Sequence, residues 1–265
     1  MLSIVTAVKL AKQRTMQNQH YEGLITDWYD DWLRERKDDV DYYSSTFRGF
    51  GGRILELACG TGRLLLPIAG SGVTIEGLDS SRDMLNVLQR KAEKLGLKEI
   101  KVHNLRMENF DLTARYDAVF IASGSFQLLT SKEDALNSLR CVRRCLSDTG
   151  FFLADIFVPW TDIAERKRDY YVVTRDAIRQ DGSRSIVLER FNTNISEQIK
   201  HGIYRYEFYS QRQLIACILD DLSIRWYWKD EFSNLLSEAG FSKVEILTDS
   251  PLYQEGHSFV FKALR

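Results

Sequence analysis

Between Arg53 and Phe157, short apolar runs alternate with longer segments whose apolar residues recur every three or four positions. Short apolar runs bounded by turn residues predict buried strands, and the three-to-four spacing predicts amphipathic helices. Arg53-Ile-Leu-Glu-Leu-Ala58 is the first strand, and Cys59-Gly-Thr-Gly62 turns into a helix over Arg63-Leu-Leu-Leu-Pro-Ile-Ala69. Val73-Thr-Ile-Glu-Gly-Leu78 predicts a second strand ending at Asp79. Ser80 or Ser81 can cap the next helix, where Met84, Leu85, Leu88, Ala92 and Leu95 recur with helical period before Gly96 stops it. Ile100 to His103 and Tyr116 to Ala122 predict the third and fourth strands. A helix from about Lys132 to Leu146 leads into a fifth strand over Gly150 to Phe157. Strands alternating with helices at this spacing require right-handed crossovers and a parallel sheet covered on both faces.

After Pro159 the rhythm changes. Tyr171 to Arg179, Arg184 to Asn194 and Ile203 to Leu214 alternate polar and apolar residues, and Asp181-Gly182 is a good hairpin turn. Tyr204, Tyr206 and Phe208 share one face of the last of these strands; Arg205, Glu207 and Tyr209 share the other. These segments predict an antiparallel insertion of three or more strands. Asp230 to Ala239 returns to helix and is capped by Gly240; Lys243 to Leu247 and Ser258 to Lys262 read as two last strands. At the other end, Leu2, Val5, Val8 and Ala11 share a helical face, which predicts a short amphipathic helix packing on the domain or on a partner subunit. The organisation expected is a helical cap over 1–50, a core domain over 51–160 and 230–265, and an antiparallel lid over 161–229.

With 265 residues, 44% of them hydrophobic and 28% charged, the chain has room for one or two domains and a sizeable core, which excludes a disordered or low-complexity architecture. Its 36 Lys and Arg against 37 Asp and Glu argue against a protein whose main task is gripping nucleic acid. The cysteines at 59, 141, 145 and 217 form no C-x-x-C pair, so no metal site is expected, and unpaired thiols fit a cytoplasmic location. No run of 18 apolar residues is present, and Met1 to Leu10 lacks the basic start and long apolar stretch of a signal peptide, so no membrane association is expected.

In an open parallel sheet, ligands bind outside the carboxyl ends of the strands, where strand order reverses. At the end of the first strand, Glu56-Leu-Ala-Cys-Gly60-Thr-Gly62-Arg63 lets the backbone turn sharply and approach a ligand, and the helix start offers free N–H groups. Asp79, ending the second strand, can accept both hydroxyls of a ribose. Together these features bind an adenosine-containing cofactor. A dinucleotide site has a third glycine where Leu65 stands, and Glu56 suits a cationic ligand better than a pyrophosphate. Both points favour a sulfonium cofactor over NAD.

Leu55-Glu-Leu-Ala-Cys-Gly-Thr-Gly62-Arg63 resembles the first motif of class I S-adenosylmethionine-dependent methyltransferases. Gly77-Leu-Asp79-Ser-Ser-Arg-Asp-Met-Leu85 resembles the second, in which the acid binds the ribose and the Met packs on adenine. Leu105-Arg-Met107-Glu-Asn-Phe110 is similar to the third, where a main-chain N–H beside the Met reads adenine. The family usually has an acid where Arg106 stands; Glu108 is the substitute this sequence offers. The resemblance spans about Ile54 to Ile156. It implies an α/β fold, doubly wound and Rossmann-like, with a seven-stranded mostly parallel sheet, helices on both faces, and an antiparallel β lid inserted after the fifth strand. It implies S-adenosyl-L-methionine as cofactor, with S-adenosyl-L-homocysteine as product, held by Glu56, Ala58, Gly60, Gly62, Arg63, Asp79, Ser80, Met84, Met107, Glu108 and Ala122. Arg63 is the candidate for the methionyl carboxylate.

Upstream, Tyr29-Asp30 and Asp41-Tyr-Tyr43 resemble the cofactor-covering segment of a branch that includes sugar N,N-dimethyltransferases, which adds Tyr29 and Tyr43 to the expected site. That branch also carries an antiparallel insertion after the fifth strand. The activity implied is methyl transfer to a nitrogen or oxygen of a small-molecule acceptor. The competing readings are an RNA or protein methyltransferase and a cofactor-binding scaffold without turnover. A homodimer is expected from the lid strands and the N-terminal helix. No catalytic base is assigned: Ser123 and Ser125 sit where cofactor and substrate meet, whereas His20, His103, His201 and His257 are scattered and read as ordinary surface or core histidines.

Overall fold

The computed structural model describes residues 21–97 and 100–265. The amphipathic helix expected near the start of the chain, His20 and the first part of the 1–50 cap lie outside the described residues. Two helices, α1 (Gly23–Trp32) and α2 (Asp38–Thr46), precede the first strand. Then follow β1 (Ile54–Leu57), α3 (Leu65–Gly70), β2 (Ile75–Asp79), α4 (Arg82–Lys94), β3 (Val102–Asn104), β4 (Tyr116–Ile121), α5 (Lys132–Cys145) and β5 (Leu146–Phe157). A short α6 (Trp160–Glu165) leads into β6 (Lys167–Ile178), β7 (Arg184–Asn194), β8 (Ile199–Ser210) and β9 (Gln213–Arg225). The chain returns through α7 (Lys229–Glu238) to β10 (Lys243–Ile246) and β11 (Ser258–Leu264).

Seven of these strands form one sheet in the order β10-β11-β5-β4-β1-β2-β3. β1 pairs in parallel with both β2 and β4, and β4 with β5; β11 runs antiparallel between β5 and β10. The strand order reverses between β1 and β4, which places a crevice at their carboxyl ends. Every residue of Ile54–Leu57 is buried because both sheet faces are covered. Leu55, Leu57, Val119 and Ile121 pack in one hydrophobic layer with α5 and α7. Ile54, Ala118 and Phe120 pack in the other with α2, α3 and α4. Local capping agrees with this plan: the Ser81 side chain accepts the Met84 N–H, and the Ser131 side chain accepts the Asp134 N–H.

The second sheet is a four-stranded antiparallel meander, β6-β7-β8-β9. The expected hairpin at Asp181-Gly182 joins β6 to β7, with Gly182 at φ +79°. The strand expected from Ile203 to Leu214 is broken: the chain reverses at Gln211 and Arg212, with φ of +48° and +64°, and continues as the separate strand β9. The inner face of this lid sits on α1. Trp28 faces Phe208 with ring centroids 6.4 Å apart, and Trp32 faces Tyr206 at 5.5 Å. The Arg179 guanidinium lies 3.8 Å over the Trp28 ring and pairs with Asp31.

Candidate functional site

The carboxyl ends of β1, β2 and β4 open into a cavity of about 430 Å³, within the range of small-ligand sites. Tyr29, Ala58, Gly60, Asp79, Ser80, Met84, Met107 and Glu108 line it together. The turn after β1 uses backbone conformations that side chains disfavour: Ala58, Gly60 and Gly62 have φ of +52°, +53° and +77°. A Cβ on Gly60 would meet nothing within 4 Å, so the missing side chain leaves open space at the cavity wall. One on Gly62 would come within 2.7 Å of Leu88, so that glycine serves the packing of the turn on α4.

The Asp79 carboxylate is fixed by two backbone donors, the Gly60 N–H at 2.8 Å and the Ser81 N–H at 2.8 Å. The two oxygens are thereby aimed from β2 across the glycine turn of β1, with lone pairs left for further donors. Burial raises the pKa of Asp79, and these backbone hydrogen bonds oppose the rise. Glu56 lies deeper. Burial pushes its pKa well up, the Arg63 charge counters that, and Asp79 and Asp39 add to it. Its Oε2 is buried without a hydrogen-bond partner. An unpartnered carboxylate oxygen behind a glycine turn suits a cationic ligand, and Asp79 and Gly60 suit a ribose. These residues fit S-adenosylmethionine.

The N-terminal helices cover this end of the sheet. Asp30 of α1 accepts the Thr61 hydroxyl at 2.6 Å and the Lys91 ammonium at 2.6 Å. Tyr21, which also lines the cavity, stands edge-on to Tyr29 at 5.7 Å. Its carbonyl accepts the Ser81 hydroxyl at 2.7 Å.

Five of the expected residues stand outside the cavity lining: Tyr43, Glu56, Gly62, Arg63 and Ala122. Tyr43 is fully buried, stacked on Phe120 at 4.9 Å, with its hydroxyl donating to Asp155 at 2.5 Å. Arg63 makes a two-pronged pair with Asp39 at 2.7 and 2.5 Å and reaches the Ser123 hydroxyl at 3.1 Å. Burial works against ionisation of Asp39, but the hydrogen bonds and charge of Arg63 outweigh it and hold its pKa low. Ser123, at φ +59°, donates its N–H to Asp155 and its hydroxyl to Asp39, whereas Ser125 lines the cavity. Arg106 and Glu108 both line the cavity and pair with each other. Sequence reasoning missed Tyr21, Leu128 to Thr130, and Leu222 and Ser223 of β9. The β9 residues carried no signal once the turn at Gln211-Arg212 was overlooked.

Residues 54–150 match the methyltransferase-domain family. The chain is similar to YqeM of Bacillus subtilis (strain 168), 34% identical over 106 residues, which are 40% of this chain and 42% of that one. It is also similar to a glycine/sarcosine N-methyltransferase of Halorhodospira halochloris, 24% identical over 237 residues, covering 87% of this chain and 82% of that one. Among solved structures, the sugar N-methyltransferase KedS8 from Streptoalloteichus sp ATCC 53650 superposes with a TM-score of 0.71 at 22% identity, covering 89% and 92% of the two chains. Among the described residues no helix is long and apolar enough to cross a membrane, and no cluster of His, Cys, Asp and Glu could hold a metal ion. The motif-bearing turn after β1, the acid ending β2, the strand order and the family match together identify residues 54–150 as a methyltransferase domain.

Proposed function

We propose that this protein methylates an amine nitrogen of a small-molecule acceptor. The observation that carries the reading is the enclosure of the cavity: Asp79 and Gly60 form one wall, while Tyr21 on the N-terminal side and Leu222 and Ser223 of β9 form others. Asp79 would hold the ribose, Met84 and Met107 the adenine, and Glu56 the cationic end of the cofactor. Ala58, Gly60, Ser80 and Glu108 complete the binding surface, and Tyr29 covers it. The cofactor supplies a methyl group on a positively charged sulfur, a good leaving group. The protein's share is to orient the acceptor and exclude water. The similarity to a glycine/sarcosine N-methyltransferase and to a sugar N-methyltransferase supports nitrogen as the acceptor atom.

In this reading residues 1–50 act as a cap, 51–160 with 230–265 bind the cofactor, and 161–229 enclose the acceptor. The exposed Val173, Ile215 and Leu219 of the lid support a homodimer, which sedimentation velocity would register. The activity test is a panel assay. The protein is incubated with S-adenosylmethionine and glycine, sarcosine, amino sugars, phenols, an RNA or an unmodified protein, and S-adenosylhomocysteine formation is followed with mass spectrometry of the acceptor. A mass gain of one methyl on an amine is the expected result. Transfer only to RNA or protein, or none to any acceptor despite cofactor binding, overturns it.

A further inference from the structure

Ser125 and Leu128 to Thr130 line the cavity and belong to one short segment between β4 and α5. The segment leaves β4 through two consecutive residues in left-handed backbone, Ser123 at φ +59° and Gly124 at φ +68°. Serine resists that conformation, which persists only where surrounding contacts over-determine it. Here they do. Asp155, on β5, accepts the Ser123 N–H at 3.0 Å through Oδ1 and the Gly124 N–H at 3.1 Å through Oδ2. The Tyr43 hydroxyl donates to the same Oδ1 at 2.5 Å. Burial raises the Asp155 pKa, and these three donors oppose the rise. The Ser123 hydroxyl donates to Asp39 at 3.0 Å and accepts from Arg63 at 3.1 Å. Asp39 and Tyr43 are four residues apart on α2, so one face of that helix reaches the bend by both routes. A Cβ on Gly124 would lie 2.6 Å from the Phe157 ring, so the bend has no room for a second side chain. Further along, the fully buried Gln127 accepts the Phe157 N–H at 2.9 Å and donates to the carbonyls of Phe157 at 3.0 Å and Arg225 at 3.4 Å. The segment is thereby tied to β5 and to β9 of the lid.

On the proposed-function reading of a small amine acceptor, we propose that Asp155 is a positioning residue for acceptor binding. With Tyr43 it holds the bend at Ser123-Gly124 and so sets the cavity wall made by Ser125 and Leu128 to Thr130. Asp155 and Tyr43 do not line the cavity; they act through the two backbone N–H groups. The ribose and adenine are assigned to Asp79, Met84 and Met107, on β2, α4 and the loop after β3, which leaves the wall between β4 and the lid for the acceptor. α2 thereby connects the cofactor turn, through Arg63, to the acceptor's side of the cavity. A wall held in one conformation before the acceptor arrives spares the acceptor the cost of ordering it.

The first test needs no acceptor. In 15N-labelled protein the Ser123 and Gly124 amides should be protected from solvent exchange. Tyr43→Phe should speed the exchange of both about tenfold, and Asp155→Asn should speed it further, with the amides of β1 unchanged. Parent amides that exchange like those of an exposed loop, or that ignore both substitutions, overturn the clamp. The second test uses the amine methylated in the panel assay. Tyr43→Phe and Asp155→Asn should each raise the acceptor KM about tenfold, while the Kd for S-adenosylhomocysteine by calorimetry stays within about twofold. The double variant should be no worse than Asp155→Asn alone, because the hydroxyl acts through that carboxylate. An unchanged acceptor KM overturns the proposal, and so does a cofactor Kd that weakens in step with KM, which would assign the wall to the cofactor. If Asp155→Asn does not fold, Tyr43→Phe, which removes a single hydroxyl, decides by the same two measurements. Failure of the parent to bind S-adenosylhomocysteine or to methylate any amine instead overturns the reading on which the proposal rests, and the exchange test separates that failure from failure of the clamp.

Discussion

Gly60 and Gly62 stand two residues apart in one turn and are required for different reasons. Both occupy left-handed backbone, but only Gly62 lacks room for a Cβ. Gly62→Ala should therefore cost stability, about 2–3 kcal/mol from the Leu88 collision and the strained φ together. Gly60→Ala should cost about 1 kcal/mol of backbone strain and mainly reduce cofactor affinity, because its methyl enters open space on the cavity wall. Denaturant unfolding and calorimetry with S-adenosylhomocysteine separate the two effects. Glu56 gives a pH-dependent counterpart. Its folded-state pKa is raised above the unfolded value, so its contribution is fully present below about 4.5 and is lost as pH rises toward the folded pKa. Glu56→Gln should flatten the decline of Tm as pH rises above about 4.5 and weaken cofactor binding at least about tenfold, since the side chain can no longer ionise opposite a cationic ligand. A variant that melts in parallel with the parent at every pH, or binds as tightly, would contradict this placement. The strand-end and turn positions of Asp79, Gly60 and Glu56 were legible in the sequence because a strand end and a glycine turn fix them locally. The surroundings of Arg63 and Tyr43 were not, because their partners, Asp39 and Asp155, arrive from other elements and only the folded chain brings them near.

Among the elements, the parallel core was readable because each βα unit carries its own period, cap and stop. Ser81 at a helix start and Gly96 after a helix end are local signals, and the structure uses both. The lid was readable only in part. Asp181-Gly182 announces a hairpin by composition, whereas Gln211-Arg212 makes its reversal with two residues that resist positive φ. Nothing in that dipeptide signals a turn, so two strands read as one and the cavity-lining end of β9 was lost with them. The strain is testable. Replacing Gln211-Arg212 by Asn-Gly should raise stability by about 1 kcal/mol, since both residues accept the required backbone at lower cost. The double variant should show a higher urea midpoint with an unchanged m-value. A lower midpoint would mean that the two long side chains contribute more than their backbone costs.

At the scale of the whole molecule, α1 is the member shared by the cofactor turn and the lid. One face of it presents Asp30 to Thr61 and Lys91, and another presents Trp28 and Trp32 to Phe208 and Tyr206. A ligand seated against Asp79 and Tyr29 is therefore mechanically connected to a sheet that contributes only two residues to the cavity wall. Binding to the native state alone stabilises it by mass action, about 2.7 kcal/mol at one hundred times Kd. For a chain of this size that raises Tm by about 5–10 °C. Because α1 links the two sheets, S-adenosylhomocysteine should move one cooperative transition and should also slow amide exchange in β6 and β8, which hold no cavity-lining residue. On the proposed reading of Asp79 as the ribose acceptor, Asp79→Asn should remove both effects together. If the ligand instead splits the melt into two steps and protects only β1, β2 and α4, the lid is energetically separate from the cofactor site, and acceptor enclosure would have to be driven by the acceptor itself.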